Sequence, residues 1–328
     1  MNPFRHLYLW LLILSSSLQL QANEQTAYWQ GTNTDGVEVL WMTRHNADVG
    51  TAHAISSDPT IIHSQFAYDS QSDTWDATFI EDTWLPMSPW WRADNELEAA
   101  PTETGLFRFP SAPQASLEVQ LGSNRTQFQA VANLETESKS YPLKIYQCQQ
   151  TVRKLQFKDP ALRPLETELA AITQSEIEKA QAYWNMQYER DGEILITPRR
   201  EIDIEQRLLH LQADRCTLLL ISQTYSGGAK GSTNLLALNY FLTSVGRWQR
   251  YVPLTRHAEP DTLKAQIRDA LNQAEADGDS FYREESNPLD PTTRMFQVLQ
   301  IGDTPWAIFK PYVVAAGAFG SFSVPINL

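Results

Sequence analysis

Cysteine is nearly absent from this chain of 328 residues, which has two, Cys148 and Cys216. So few cannot build a disulfide-dependent miniprotein, and a lone distant pair lacks the four closely spaced ligands that zinc wants. Long apolar runs are missing as well. The longest, Leu7 to Leu14, falls well short of the ~20 residues that span a bilayer, and no later segment comes close. Positive charge is scarce: 26 Lys and Arg face 39 Asp and Glu, for a formal net charge of −13. That balance repels nucleic acid and anionic membrane surfaces; it suits a basic partner, and it equally suits plain solubility. No His-Glu-x-x-His, no Gly-x-Ser-x-Gly and no Gly-Lys-Ser/Thr opening a helix occurs.

What is present begins with an export leader. Arg5 and His6 precede the apolar stretch, three serines follow it, and Leu20-Gln21-Ala22 offers a small residue at the cut. No cysteine stands near the cut to carry a lipid. The expectation is a cleaved, periplasmic or secreted protein with no membrane anchor. In an oxidising compartment an even pair of cysteines is expected to form a disulfide, Cys148–Cys216, worth ~4 kcal/mol by the chain-entropy model.

The chain then changes texture once. From Tyr28 to about Leu134, alternating runs such as Val37–Trp41, Trp75–Ile80, Leu106–Phe109 and Leu117–Leu121 are separated by turn formers, which predicts a barrel or sandwich of short strands. After Tyr141-Pro142 strands and helices mix. Leu143 to Leu155 reads as a strand. Leu165, Leu169, Ile172, Ile177, Ala180 and Trp184 follow a helical spacing entered through Asp159-Pro160 and Pro164. Strands over Ile202–Leu211 and Cys216–Tyr225, a hairpin over Thr233–Leu254, a second helix over Asp261–Ala274 and closing strands near Met295–Ile301, Trp306–Lys310 and Phe322–Ile326 complete the reading. The predicted class is α+β: leader 1–22, β-rich barrel or sandwich module 23–140, sheet-and-helix domain 141–328.

Few residues carry a chemical signal. Tyr225-Ser226-Gly227-Gly228-Ala229-Lys230 places two adjacent glycines directly after an apolar strand, where backbone can approach a ligand closely. Trp84-Leu85-Pro86-Met87-Ser88-Pro89-Trp90-Trp91 is the densest aromatic stretch, suited to stacking on a sugar or to a protein contact. His45, His53 and His63 form no ligand spacing and are expected in exposed loops. Asp69, Asp73 and Asp76 lack the spacing of a calcium loop. Glu81-Asp82 is a glycosidase acid only if a second carboxylate lies ~5–9 Å away, which a sequence cannot show. No catalytic residue, metal or cofactor is assigned.

The Gly-Gly segment, the later Lys310-Pro311-Tyr312 with Ala316-Gly317-Ala318-Phe319-Gly320, and the terminal Val324-Pro325 together resemble the C-terminal extracytoplasmic domain of RsiV-type anti-sigma factors. That domain also accompanies PdaC-type peptidoglycan deacetylases. The resemblance covers about Tyr141 to Leu328. Three family positions differ here: Lys230 replaces a histidine, Val313 a glutamate, and Ala316-Gly317 a Pro-Tyr pair. The first domain resembles short β-rich modules of exported bacterial proteins through Tyr28-Trp29-Gln30-Gly31 and Thr104-Gly105-Leu106-Phe107. RsiV-type domains bind lysozyme, so the resemblance implies a non-catalytic envelope binding protein that recognises lysozyme or peptidoglycan. Its contacts would be Tyr225, Ser226, Gly227, Gly228, Lys230, Tyr312, Phe319, Trp84, Trp90 and Trp91. An envelope hydrolase using carboxylates and a structural subunit of an envelope complex are the competing readings.

Overall fold

In the first half, several successive strands alternate apolar with polar residues, and such strands close on themselves most economically when the apolar side turns inward. The computed structural model shows that closure. It describes residues 25–56, 61–82, 103–109, 116–143, 146–191, 199–226, 231–253, 262, 265–269, 296–310 and 322–326. Eight antiparallel strands follow one another: β1 (Gln25–Thr32), β2 (Glu38–His45), β3 (Val49–Ser56), β4 (Ile61–Asp69), β5 (Thr74–Asp82), β6 (Glu103–Arg108), β7 (Leu117–Leu121) and β8 (Asn124–Leu143). Pairing of β1 with β8 closes the barrel. Trp41 fills its middle, edge-on to Phe79, Phe107 and Phe128 at centroid distances of 6.1, 5.3 and 6.3 Å. The Trp29 indole N–H donates to Thr43 Oγ1 at 2.9 Å, so the polar edge of that ring is satisfied inside. Gly105 is explained by this packing: a β-carbon there would run into the Gln120 carbonyl and the Phe79 ring.

β8 continues past the barrel without a break and becomes the first strand of a second sheet. That sheet adds β9 (Tyr146–Phe157), β10 (Arg199–Leu211), β11 (Arg215–Tyr225), β12 (Ser232–Leu242) and β13 (Trp248–Tyr251). β9 and β10 run parallel, and a parallel pair needs a crossover. Helix α1 (Arg163–Asp191) supplies it. The Asp159 carboxylate accepts from Ala161 N at 2.8 Å, and Pro160 opens a single 3-10 turn ahead of the helix. Leu165, Leu169, Thr173, Ile177, Ala180 and Trp184 are its buried stripe. Gln206 locks the helix to the sheet: its amide donates to Thr173 Oγ1 and accepts from Leu155 N, both at 2.9 Å. Of the second expected helix, residues 262 and 265–269 are described, and they are helical.

The opposite face of the sheet meets two things. A three-stranded sheet of β14 (Phe296–Ile301), β15 (Thr304–Phe309) and β16 (Phe322–Pro325) covers part of it. The Gln297 side chain joins them, accepting from Ala237 N and donating to Leu235 O, both at 2.7 Å. Beside it, the barrel's outer wall presents Ile55 and Ile61 to Leu209, Leu219 and Ile221. The molecule is therefore α+β, a closed barrel fused to a sheet that helix α1 covers on one face.

Two expectations fail here. His53 and His63 are not in exposed loops: they are cross-strand partners on β3 and β4, and His53 is 1% exposed. His45 lies at the end of β2, its ring against Trp75 and Phe109. The Cys148–Cys216 disulfide is also not formed. Cys148 lies opposite Arg200 and Cys216 opposite Leu211 along the same strand, β10. Those positions are 211 − 200 = 11 residues apart, roughly 35 Å at about 3.3 Å per residue. A bridge tolerates roughly 7 Å between Cα atoms. Both cysteines are buried free thiols.

Candidate functional site

The Gly-Gly segment leaves the sheet at the end of β11, and the strand end is firmly held. Tyr225 pairs with Glu201 of β10. Ser226 follows it and is gripped twice. Its hydroxyl accepts from the Trp184 indole N–H at 2.9 Å, and its carbonyl accepts from the Arg200 guanidinium. Trp184 is fully buried as the last apolar position of the helix stripe, so the helix fixes where Ser226 sits. Arg200 is fully buried too, with its guanidinium 4.1 Å from the centroid of the Tyr146 ring. Cys148, its neighbour across the β9–β10 ladder, has a thiol pushed up by burial, with Arg200 pulling it down. Next to it Tyr141 accepts from the Gln181 amide of the helix. Helix, two strands and a buried cation thus converge on one residue.

Of the other contact residues expected from the sequence, Gly227, Gly228, Lys230, Tyr312, Phe319, Trp84, Trp90 and Trp91 lie outside the described residues. So do the side chains of Glu81 and Asp82. Asp69 and Asp73 organise their own turn, accepting from Ser72 and from the Tyr68 hydroxyl at 2.6 and 2.7 Å. Among the described residues no three His, Cys, Asp or Glu are placed to share a metal, and no helix is long and apolar enough to cross a membrane.

A second constellation escaped sequence reading. Where the barrel wall meets the second sheet, Glu205 of β10 accepts from Arg44 of β2 and from Arg207 Nε, each at 2.9 Å. Glu205 and Arg207 are fully buried and Arg44 is 7% exposed. Burial alone would raise the Glu205 pKa, but Arg207, Arg44 and Arg153 outweigh it and hold the carboxyl at about 2. His53 faces the same seam. Its imidazole is held well below its usual range, by burial first and then by His63, Arg207 and Arg44. Arg153 pairs with Asp203 one step along β10. This seam joins the barrel to the sheet, and its charges answer one another out of water. Alternation of Asp203, Glu205 and Arg207 with Ile202 and Ile204 reads as a solvent face, which is why the sequence did not disclose it.

No family model matches the chain, and no curated protein matches it. Several solved structures do, two of them as follows. One is a DUF3298-family member from Bacteroides fragilis, 16% identical, covering 59% of this chain and 90% of its own, with a TM-score of 0.38. The other is a DUF3298-family protein from Pseudomonas aeruginosa, also 16% identical with the same coverage, at a TM-score of 0.34.

Proposed function

We propose that the chain is a non-catalytic binding protein of the cell envelope, periplasmic or secreted, which takes its ligand at the Gly227-Gly228 end of the second sheet. One observation carries this reading: the strand end at Ser226 is fixed by a buried indole and a buried guanidinium. Binding segments work when a rigid scaffold delivers them, and the buried Arg200 guanidinium on the Ser226 carbonyl fixes the residue that leads into Gly227-Gly228. The net charge of −13 favours a basic protein as ligand by steering its approach. Lysozyme is the partner that the RsiV-type resemblance implies, with peptidoglycan the second choice. Lys230, Tyr312, Phe319 and the tryptophans at 84, 90 and 91 are the further contacts proposed on sequence grounds.

Retention of the purified protein on immobilised lysozyme and on wall sacculi at low salt tests this. Retention on lysozyme that falls at least tenfold in Arg200→Leu, with the fold intact by circular dichroism, is the expected outcome. No retention on either matrix sinks the reading, and release of soluble wall fragments would replace it with a hydrolase.

A further inference from the structure

The twenty residues of β8 are paired unequally. Along one edge β7 takes Asn124–Phe128, and β9 takes over from Ala132 to Leu143. Along the other edge β1 pairs with Gln129–Asn133 and then stops. Beyond Asn133 no described strand pairs with the edge that β1 leaves, and the six residues from Glu135 to Ser140 are all exposed. An edge that no described strand takes presents a row of backbone donors and acceptors that a neighbouring strand can use.

We propose that this edge, Leu134 to Pro142, pairs antiparallel with the same edge of a second copy, about a two-fold axis passing through Ser138. A two-fold axis perpendicular to a sheet keeps each side chain on its own face, so paired residue numbers must sum to an even value. The charges then choose among the registers. An axis at Glu137 or at Lys139 opposes that residue to itself. An axis at Thr136 opposes Glu135 to Glu137. An axis at Ser138 opposes Glu137 to Lys139 of the second copy and Lys139 to its Glu137, with Thr136 against Ser140 on the other face. Opposite charges and hydroxyl pairs directly across a ladder are favourable, and like charges are not. Lys139 and Pro142 are also residue types that keep unrelated strands off an edge. The same side chains thus deter other partners while matching their own copy, and the interface is isologous, as a two-fold dimer requires. Glu137 is already turned toward a cation within the chain, with Lys154 Nζ at 2.6 Å. Lys139 has no ion-pair partner among the described residues.

Sedimentation equilibrium across the micromolar range reads the assembly, and a dimer that shifts to monomer by at least tenfold in Kd on Lys139→Glu is expected. Ser138→Cys adds a test of register. Its thiols meet at the axis while Cys148 and Cys216 stay buried, so mild oxidation links the copies. Val245→Cys, on a hairpin tip and 76% exposed, serves as the control and does not link at the same concentration. A protein that sediments as a monomer throughout overturns the proposal. A dimer indifferent to Lys139→Glu, or Ser138→Cys linking no faster than the control, overturns it too. Lysozyme retention is measured on the same variants and does not depend on this edge, so failure of one reading leaves the other standing.

Discussion

The barrel interior and the seam between barrel and second sheet are both buried, yet they are built from opposite materials. Inside the barrel, Phe79, Phe107 and Phe128 meet Trp41 edge to face and Phe66 tilts against Phe107, while a hydrogen bond to Thr43 satisfies the Trp29 indole. In the seam, Arg44, Glu205, Arg207 and His53 are packed out of water beside the aliphatic Ile55 and Ile61. The interior gains from area and shape, which tolerate small errors. The seam gains from matched charges, which do not: a buried ion without its partner costs far more than the pair was worth. Burial here performs two tasks, filling the barrel and fixing how the following strands dock on its wall.

Truncating the interior is the largest test. Trp41→Ala should lower unfolding free energy by about 3–5 kcal/mol in urea titration. Glu205→Ala should cost a comparable ~3–5 kcal/mol, because Arg44 and Arg207 are left buried and unpaired. A triple replacement of Arg44, Glu205 and Arg207 by apolar residues of similar volume should recover most of that loss. If Glu205→Ala costs less than about 1 kcal/mol, water reaches the seam and the contrast with the interior collapses. Gly105→Ala probes how closely strands approach in the barrel. Its β-carbon meets backbone, which cannot swing away, so ~1–3 kcal/mol is expected.

The interior was readable in the sequence because its pattern is local. Trp75–Ile80, Leu106–Phe109 and Leu117–Leu121 alternate visibly and became β5, β6 and β7. β3 and β4 were not readable: Ala52 and Ala54 are the inward residues of β3, too small to mark a period, and its outward residues include His53. The seam was invisible for a different reason. Nothing near Glu205 in sequence says that Arg44, 161 residues away, will cover it. The candidate site was half legible. A strand running into Gly227-Gly228 marked the place, and Trp184 belonged to a helical stripe, but no pattern singled out Arg200 from its neighbour Arg199.

Acid separates the two regions more gently. His53 has a depressed pKa, so the unfolded chain binds its proton first. Its contribution is therefore complete above the unfolded value near 6.5 and is lost as pH falls below it. His210, lowered by burial, acts in the same direction. Glu205 adds nothing in that range; its stability is lost only as pH falls from the ordinary carboxylate range through about 2. The unfolding free energy from urea titration should thus be lower at pH 5.5 than at pH 7.5, falling by at most ~1.4 kcal/mol per proton per pH unit. His53→Phe should flatten that slope, and an unchanged slope would place the acid sensitivity outside the seam.

The smallest effect expected is none, and it concerns the two thiols. Cys148 and Cys216 sit at opposite ends of the path along β10, and burial raises both thiols, Cys216 strongly. Export to an oxidising compartment favours a disulfide only where geometry brings the sulfurs together, and here a continuous strand ladder holds them apart. Among the described residues the barrel and the sheet are then held by the shared strand β8, by packing and by the charged seam, without a disulfide. A thiol reagent should find no reactive group in the folded protein and both cysteines in urea, before any reductant is added. Dithiothreitol should leave the unfolding midpoint where it was. A midpoint that drops with reductant would mean that the two sulfurs do meet, which the pairing of β9, β10 and β11 does not permit.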